Sequence, residues 1–208
     1  MKNEILVFSA TYNESENIKD FLNSIETLNL ELDLLLIDDN SPDKTWKIIQ
    51  EYAKNKKNIH LIIRDKKEGL DTAHKIAYEY SLTNNYQFLI TLDADLSHDT
   101  KIIPKFINEL KTNAFVIGSR YMRGGKCDLK GFRLFLSYFG NKFIKFIFNI
   151  DCNEFTSAYR GFNLKKLGDF TLNKVSSKGY SFFMETVYLV NFTGNSIKHV
   201  FSITSLPQ

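Results

Sequence analysis

Two aspartates, Asp93 and Asp95, directly follow the apolar run 88–92. The aromatic and β-branched residues of this run predict a strand that is buried on both faces. Because side chains alternate along an extended backbone, the two carboxylates would project from the same side. Such hard oxygen ligands suit Mg²⁺ or Mn²⁺ and leave most of an octahedral shell for water and phosphate oxygens. The pattern therefore indicates a divalent cation site, with a solvated acidic turn that caps the next helix as the alternative.

Acidic residues also follow two other predicted strands. Glu14 comes after the apolar run 5–9, and Asp38 and Asp39 come after the run 34–37. Strand-like and helix-like segments alternate with short connections, which predicts an α/β fold with a mainly parallel, doubly wound sheet flanked by helices. Ligands of such sheets lie at the carboxyl ends of the strands. We therefore expect all of these acids to converge on one rim of the sheet.

The spacing of apolar residues predicts the elements that position this rim. Further strands are expected at 59–63 and 115–118, and helices at 18–28, 45–53, 69–82 and 104–110. Either Asn13 or Ser15 could cap the first helix, and Pro104 is expected in the first turn of its helix.

Composition excludes several classes of protein. The 208 residues are 43% hydrophobic, which is enough for one substantial core. The 27 Lys and Arg residues are mixed with 24 acids, so the sequence predicts no nucleic-acid partner. Cys127 and Cys152 form no C-x-x-C motif, which argues against a zinc site or a disulfide scaffold. With no signal peptide and no long apolar span, we expect a cytoplasmic protein.

Glycine-rich phosphate loops are absent from the sequence. Neither G-x-G-x-x-G nor G-x-x-x-x-G-K-[ST] occurs, so a phosphate-bearing ligand would be held through a metal and side chains. Arg120, just after the run 115–118, is placed to act as a phosphate fork, with an ordinary surface arginine as the alternative.

The segment 130–150 combines basic and aromatic residues and contains no acid. Its aromatic residues recur every three or four positions and predict an amphipathic helix. They are Phe132, Phe135, Phe139, Phe143 and Phe146. Such a helix could lie in an anionic membrane interface as a peripheral contact on the inner face, or its aromatic stripe could pack on the rest of the chain.

Several motifs, spread in order over about residues 4–190, resemble those of family-2 glycosyltransferases. They are ATYNESENI, IDDNSPDKT, LDADLSHD, GSRYMRGG, FTSAYRGF and GYSFFMET. Within that family the chain most resembles the polyprenol-phosphate sugar synthases, such as the dolichol-phosphate mannose and glucose synthases. The resemblance implies a GT-A fold and an inverting, Mg²⁺- or Mn²⁺-dependent transfer of a hexose. The donor would be a GDP- or UDP-sugar, and the acceptor a polyprenyl phosphate.

The resemblance also implies roles for individual residues. Donor binding would involve Ala10, Tyr12, Glu14, Ile37, Asp39, Asp93, Ala94, Asp95 and Arg120. The metal would be held by Asp93 and Asp95 with Ser97, and the acceptor phosphate would lie near Arg133 and Ser137. Asp95 and Arg120 would take part in catalysis, and Glu154 would act as a base or as an orienting residue. We expect one domain over 1–208, with a donor half at about 1–120 and an acceptor half at about 121–208.

Some positions depart from the family pattern. Relatives generally carry glycine where this chain has Lys44, Asp71 and Ala158. After Arg160 there is no further arginine, so only Lys198 or His199 could replace the cationic contacts of the family's closing loop. Two alternatives therefore stay open: transfer to a sugar hydroxyl during polysaccharide synthesis, and a truncated relative that binds nucleotide sugar without catalysis.

Overall fold

The computed structural model describes residues 3–121, 126–127, 131–201 and 203–204, and it describes side chains for 3–121 and 139–201. The strands are β1 (Ile5–Thr11), β2 (Asp33–Asp38), β3 (Ile59–Ile63), β4 (Phe88–Thr91), β5 (Phe115–Ser119), β6 (Lys126–Cys127), β7 (Arg160–Asn163), β8 (Ile197–Phe201) and β9 (Ile203–Thr204). The helices are α1 (Ile18–Glu26), α2 (Thr45–Ala53), α3 (Leu70–Thr83), α4 (Ile103–Leu110), α5 (Gly131–Phe148) and α6 (Tyr180–Phe192).

Seven strands form one sheet in the order β3-β2-β1-β4-β7-β5-β8. The pairs β1–β2, β1–β4, β2–β3 and β5–β8 are parallel, which confirms the predicted mainly parallel sheet. Only β7 is antiparallel to its neighbours β4 and β5, and it was not among the predicted strands. Gly161 in β7 allows close packing, because a Cβ there would lie 2.9 Å from the side chain of Leu110 in α4.

Helices cover both faces of the sheet, as a doubly wound fold requires. In β1, Val7 packs in the core beneath α1, α2 and α4. Its neighbours Leu6 and Phe8 pack in the opposite core, which includes residues of α3 and α6. All four residues of β4 are buried, which confirms that this strand is covered on both faces. The strand therefore fixes the backbone from which Asp93 and Asp95 emerge.

Most predicted elements have nearly the expected bounds, but the predicted cap of α1 is wrong. Asn17 precedes α1, and neither Asn13 nor Ser15 caps it. The backbone amide of Asn13 donates to Ser41 Oγ at 3.1 Å, and that of Ser15 donates to Asp43 Oδ2 at 2.9 Å. Both residues therefore attach the loop after β1 to the loop after β2.

Helix α5 lies within the predicted amphipathic segment and exposes part of its aromatic stripe. Phe143 is 64% exposed and Phe146 is 84% exposed, whereas Ile144 packs against the core. Ile150, just beyond the helix, is buried. Within the described ranges, no helix is both long enough and apolar enough to cross a membrane.

Candidate functional site

A cleft of about 280 Å³ opens where β1, β2 and β4 end. Its walls contain Ala10, Thr11, Tyr12, Glu14, Asp39, Arg64, Lys67, Gly69, Leu70, Asp93, Ala94 and Asp95. β1 lies between β2 and β4 and is parallel to both, so the carboxyl ends of the three strands meet at one edge of the sheet. The cleft thus brings together most of the residues that the sequence predicted for donor binding.

A buried carboxylate joins the first two loops of this rim. Asp38 is fully buried and accepts hydrogen bonds from Thr11 Oγ1 at 2.7 Å and from the backbone amide and hydroxyl of Ser41 at 2.8 and 2.7 Å. The backbone amide of Glu14 donates to Thr45 Oγ1 at 2.9 Å. Since both loops are tied to each other, the positions of Tyr12 and Glu14 in the cleft are fixed.

Arg64 organises the loop between β3 and α3, and the sequence analysis did not identify it. Its guanidinium forms a short ion pair with Asp39 and donates to the carbonyl of Gly69 at 3.0 Å. The amide of Glu68 also donates to Asp39, at 3.3 Å. Both members of the ion pair are buried. Arg64 directly follows an apolar strand, as Arg120 does, and that pattern could have indicated it.

The acidic loop after β4 is held by two backbone hydrogen bonds. Asp95 Oδ1 accepts from the amide of Ser97 at 2.9 Å. The amide of Asp93 donates to Nδ1 of the buried His98 at 3.1 Å. His98 Nδ1 also lies 3.6 Å from Asp93 Oδ2. His98 is a further positioning residue that the sequence analysis did not identify.

Three carboxylates of the cleft, those of Glu14, Asp93 and Asp95, lie close enough to repel one another. Burial raises the pKa of Asp93, and Asp95 raises it further although His98 lowers it. Burial also raises the pKa of Glu14, against the hydrogen bond from Asn17, and the charges of Asp95 and Asp93 add to the rise. A cation would relieve this repulsion, so the hard oxygen donors fit Mg²⁺ or Mn²⁺.

Asp93 and Asp95 would supply part of the ligand shell of such a cation. In the part of the chain that the structure describes, no group of three His, Cys, Asp or Glu side chains is arranged to hold a metal. Two carboxylates with water and phosphate oxygens would complete an octahedral shell.

Arg120 and Glu154 form a forked ion pair outside the walls of the cleft. Arg120 Nε donates to Glu154 Oε2 at 2.8 Å, and Nη2 donates to Oε1 at 3.3 Å. Glu154 is completely buried, and its Oε1 also accepts from Thr156 Oγ1 at 3.1 Å. In this arrangement the Glu154 carboxylate is directed at Arg120 and Thr156, which favours the orienting role for Glu154 over the role of a base.

Ile37 and Ser97 are not among the described residues that line the cleft. Ile37 is fully buried in β2, where it is in register with Ala10 of β1. Ser97 is buried, and its backbone amide donates to Asp95 Oδ1. Arg133 and Ser137 belong to α5, but their side chains lie outside the described residues.

Neither proposed replacement for the closing-loop cations lies in the cleft. The Lys198 ammonium is 3.7 Å from Glu109 Oε2, and His199 Nε2 accepts from the amide of Asn153 at 3.1 Å. Among the described residues, the cations of the cleft wall are Arg64 and Lys67.

A smaller hollow of about 140 Å³ adjoins the Arg120–Glu154 pair. It is lined by Tyr121, Asn141, Lys142, Lys145, Cys152 and Asn153. The hollow reaches the pair through Cys152, whose thiol lies 3.0 Å from the carbonyl oxygen of Glu154. Lys142 and Lys145 line this hollow, and Lys145 is paired with the exposed Asp151 at 2.6 Å, whereas the cleft walls are mainly acidic.

Residues 6–170 match the sequence profile of the family described as Glycosyl transferase family 2. The chain belongs to this family. An undecaprenyl-phosphate mannosyltransferase of Micrococcus luteus is 29% identical over 197 residues, which cover 94% of this chain and 81% of that protein. A polyprenol monophosphomannose synthase of Mycolicibacterium smegmatis is 30% identical over 205 residues, which cover 97% of this chain and 75% of that protein.

Solved structures share the fold of this family 2 glycosyltransferase. TarS 1–349 of S. aureus in complex with UDP-GlcNAc has a TM-score of 0.63 at 18% identity, covering 99% of this chain and 60% of that chain. The mannosyltransferase PcManGT of Pyrobaculum calidifontis, in complex with GDP-Man and Mn²⁺, has a TM-score of 0.61 at 16% identity, covering 100% of this chain and 58% of that chain. The chain thus spans about three fifths of these structures. The predicted family and GT-A fold are confirmed.

Proposed function

We propose that this glycosyltransferase moves a hexose, with inversion, from a nucleotide sugar to a polyprenyl phosphate, as a single domain. The observation that carries the proposal is the convergence of Tyr12, Glu14, Asp93 and Asp95 in one cleft. Two relatives matched over nearly the whole chain support the choice of acceptor, because their names specify undecaprenyl phosphate and polyprenol as carriers.

The donor would lie across the carboxyl ends of the strands. Its base and ribose would contact Ala10, Tyr12 and Glu14, with Ile37 and Asp39 shaping the pocket beside them. Its diphosphate would lie at the loop 93–95. UDP-GlcNAc in TarS and GDP-Man in PcManGT support a nucleoside diphosphate sugar as the ligand of this fold.

Asp93 and Asp95 would hold Mg²⁺ or Mn²⁺ beside the donor diphosphate. A cation bound there would stabilise the negative charge that develops on the departing diphosphate. The chain's own contribution is to hold both carboxylates at the cleft wall. The amide of Ser97 orients Asp95, while His98 fixes the backbone at Asp93.

The acceptor is proposed to be a phosphate because such an acceptor needs no base, and Glu154 is engaged with Arg120. An acceptor phosphate is already ionised at neutral pH and can attack the sugar without losing a proton. A sugar hydroxyl would need a base within hydrogen-bond reach, and Glu154 is enclosed. Arg120, held in place by Glu154, would approach the diphosphate during transfer.

The exposed aromatic face of α5 would contact the membrane that contains the lipid acceptor. Phe143 and Phe146 are exposed, and the hollow beside α5 is lined by Lys142 and Lys145. Aromatic side chains and lysines together favour the interface of an anionic bilayer. The contact would be peripheral, with the acceptor phosphate near Arg133 and Ser137.

A transfer assay tests the proposal. Purified protein with Mg²⁺ or Mn²⁺ is supplied with GDP- and UDP-sugars, with and without a short polyprenyl phosphate. We expect glycolipid product only when the lipid phosphate is present. Product formed only with a sugar acceptor would favour the hydroxyl-transfer alternative. Donor binding without turnover on any acceptor would favour a non-catalytic binding protein.

A further inference from the structure

The loop between β3 and α3 presents a lysine to the cleft, and both ends of this loop are held by hydrogen bonds. Arg64 begins the loop in its ion pair with Asp39, and Gly69 ends it by accepting a hydrogen bond from the same guanidinium. Gly69 also has a φ of 99°, a conformation that favours glycine. Between these anchors, Lys66 and Lys67 are exposed. The backbone of the loop is therefore fixed while the Lys67 side chain can change its contact.

Lys67 lies over the aromatic ring of Tyr12. Its ammonium is 3.8 Å from the ring centroid, a cation–π contact between two residues of the cleft wall. Because both side chains are at the surface, this contact is weak enough to be exchanged for another. An aromatic base that stacks on this face of Tyr12 would have to displace the ammonium.

The charges of the cleft give the displaced ammonium a new partner. Glu14, Asp93 and Asp95 line the cleft and would repel a diphosphate. Arg64 is committed to Asp39, so Lys67 is the exposed cation among the described residues of the cleft wall. An ammonium that leaves the ring would be attracted to a phosphate oxygen of the same ligand.

We propose that Lys67 is a nucleotide-binding residue that exchanges the Tyr12 ring for a donor phosphate when a nucleoside diphosphate enters. This inference rests on the proposed function, since it requires a nucleotide donor in the cleft. Lys67 opposes the stacking of a bare nucleoside and favours the binding of a nucleoside diphosphate, so its removal should change the two affinities differently.

Calorimetric titration of the full chain with guanosine, GDP, uridine and UDP in Mg²⁺ tests the exchange. In Lys67→Met, which keeps the length of the side chain, we expect about tenfold weaker binding of the preferred diphosphate. Binding of the corresponding nucleoside should be unchanged or tighter. Lys67→Arg should retain most of the diphosphate affinity. Lys66→Met, on the same exposed loop, is the matched control and should bind like the wild type.

Three outcomes would overturn this inference and leave the proposed function standing. They are an equal loss of affinity for nucleoside and diphosphate in Lys67→Met, unchanged affinities in Lys67→Met, or the same loss of affinity in Lys66→Met. Equal weakening would mean that Lys67 remains on the ring and clamps the base. If the wild type binds none of these nucleotides, the proposed function itself is contradicted, and the inference falls with it.

Discussion

The cleft at the strand ends and the outer face of α5 are built on opposite principles. Around the cleft, hydrogen bonds hold polar side chains in place. The hydroxyls of Thr11 and Ser41, for example, both donate to Asp38. On α5, Phe143 and Phe146 are directed to solvent. Placing charge against a developing diphosphate requires fixed geometry, whereas burial of aromatic surface in a membrane is non-directional. Transfer chemistry and lipid contact should therefore respond to different substitutions.

Removal of a cleft carboxylate should have the largest effect. In Asp95→Ala we expect transfer to fall about a thousandfold, because the charge on the leaving diphosphate loses its stabilisation. The melting temperature should change little, because Asp95 is partly exposed and repels its acidic neighbours. Turnover assays and thermal melts measure both, with the exposed Asp20→Ala in α1 as the control. Full turnover in Asp95→Ala would remove the metal assignment.

Negative charges introduced on the α5 face should have the next largest effect, on membrane binding, and should leave the cleft intact. Phe143→Glu combined with Phe146→Glu should weaken partition onto anionic vesicles about a hundredfold, because two exposed aromatic contacts are lost. Nucleotide affinity should not change. Vesicle sedimentation and calorimetry give the two values. Leu82→Glu, which replaces a 41% exposed residue on α3, is the control. A wild type that does not bind vesicles would show that the membrane contact is wrong.

The Arg120–Glu154 pair lies between the cleft and α5, and substitutions there test how much its ion pair contributes to stability and to transfer. Glu154→Gln removes the buried negative charge that pairs with Arg120, so the free energy of unfolding should fall by about 3 kcal/mol. Urea denaturation measures this loss. A double variant, Arg120→Met with Glu154→Met, should recover much of the stability while transfer stays low. Recovery of transfer in that variant would contradict the proposed role of Arg120.

The smallest predicted effect is a pH dependence of stability that arises from His74, in the core between β1 and α6. Its ring lies 5.1 Å from that of Phe8 and 5.3 Å from that of Phe183. Burial, helped by the charge of Arg160, lowers the pKa of His74 to about 3. Below the ordinary pKa of about 6.5, the unfolded chain takes up a proton that the folded chain excludes. Stability should therefore fall with acidification, by about 1.4 kcal/mol per pH unit from this group.

The matched variant for this prediction is His74→Phe, which removes the titrating ring but keeps an aromatic side chain. Urea denaturation at pH 7.5 and pH 5 should show that the wild type loses about 2 kcal/mol more than the variant. Parallel pH profiles for the two proteins would contradict the assignment of this loss to His74.

The sequence predicted the α/β class, most of the first five strands and the acids of the rim. These features depend on local patterns: an apolar strand followed by carboxylates is visible in the residue order itself. Relatives generally carry glycine at the position of Lys44, and Lys44 adopts a φ of 65°. The backbone there has the left-handed conformation that glycine favours, whereas Asp71 and Ala158 are not among the described residues with positive φ.

The tertiary structure alone decided which polar groups meet. Arg64 and Asp39 are 25 residues apart, and Arg120 and Glu154 are 34 apart, so no local pattern specifies either pair. The same holds for Asn13 and Ser15, which favour a helix cap by residue type but donate to the neighbouring loop. A polar residue has several possible partners of similar energy, and packing decides which of them is within reach. The composition of the rim is therefore determined locally, and its hydrogen bonds are determined by the fold.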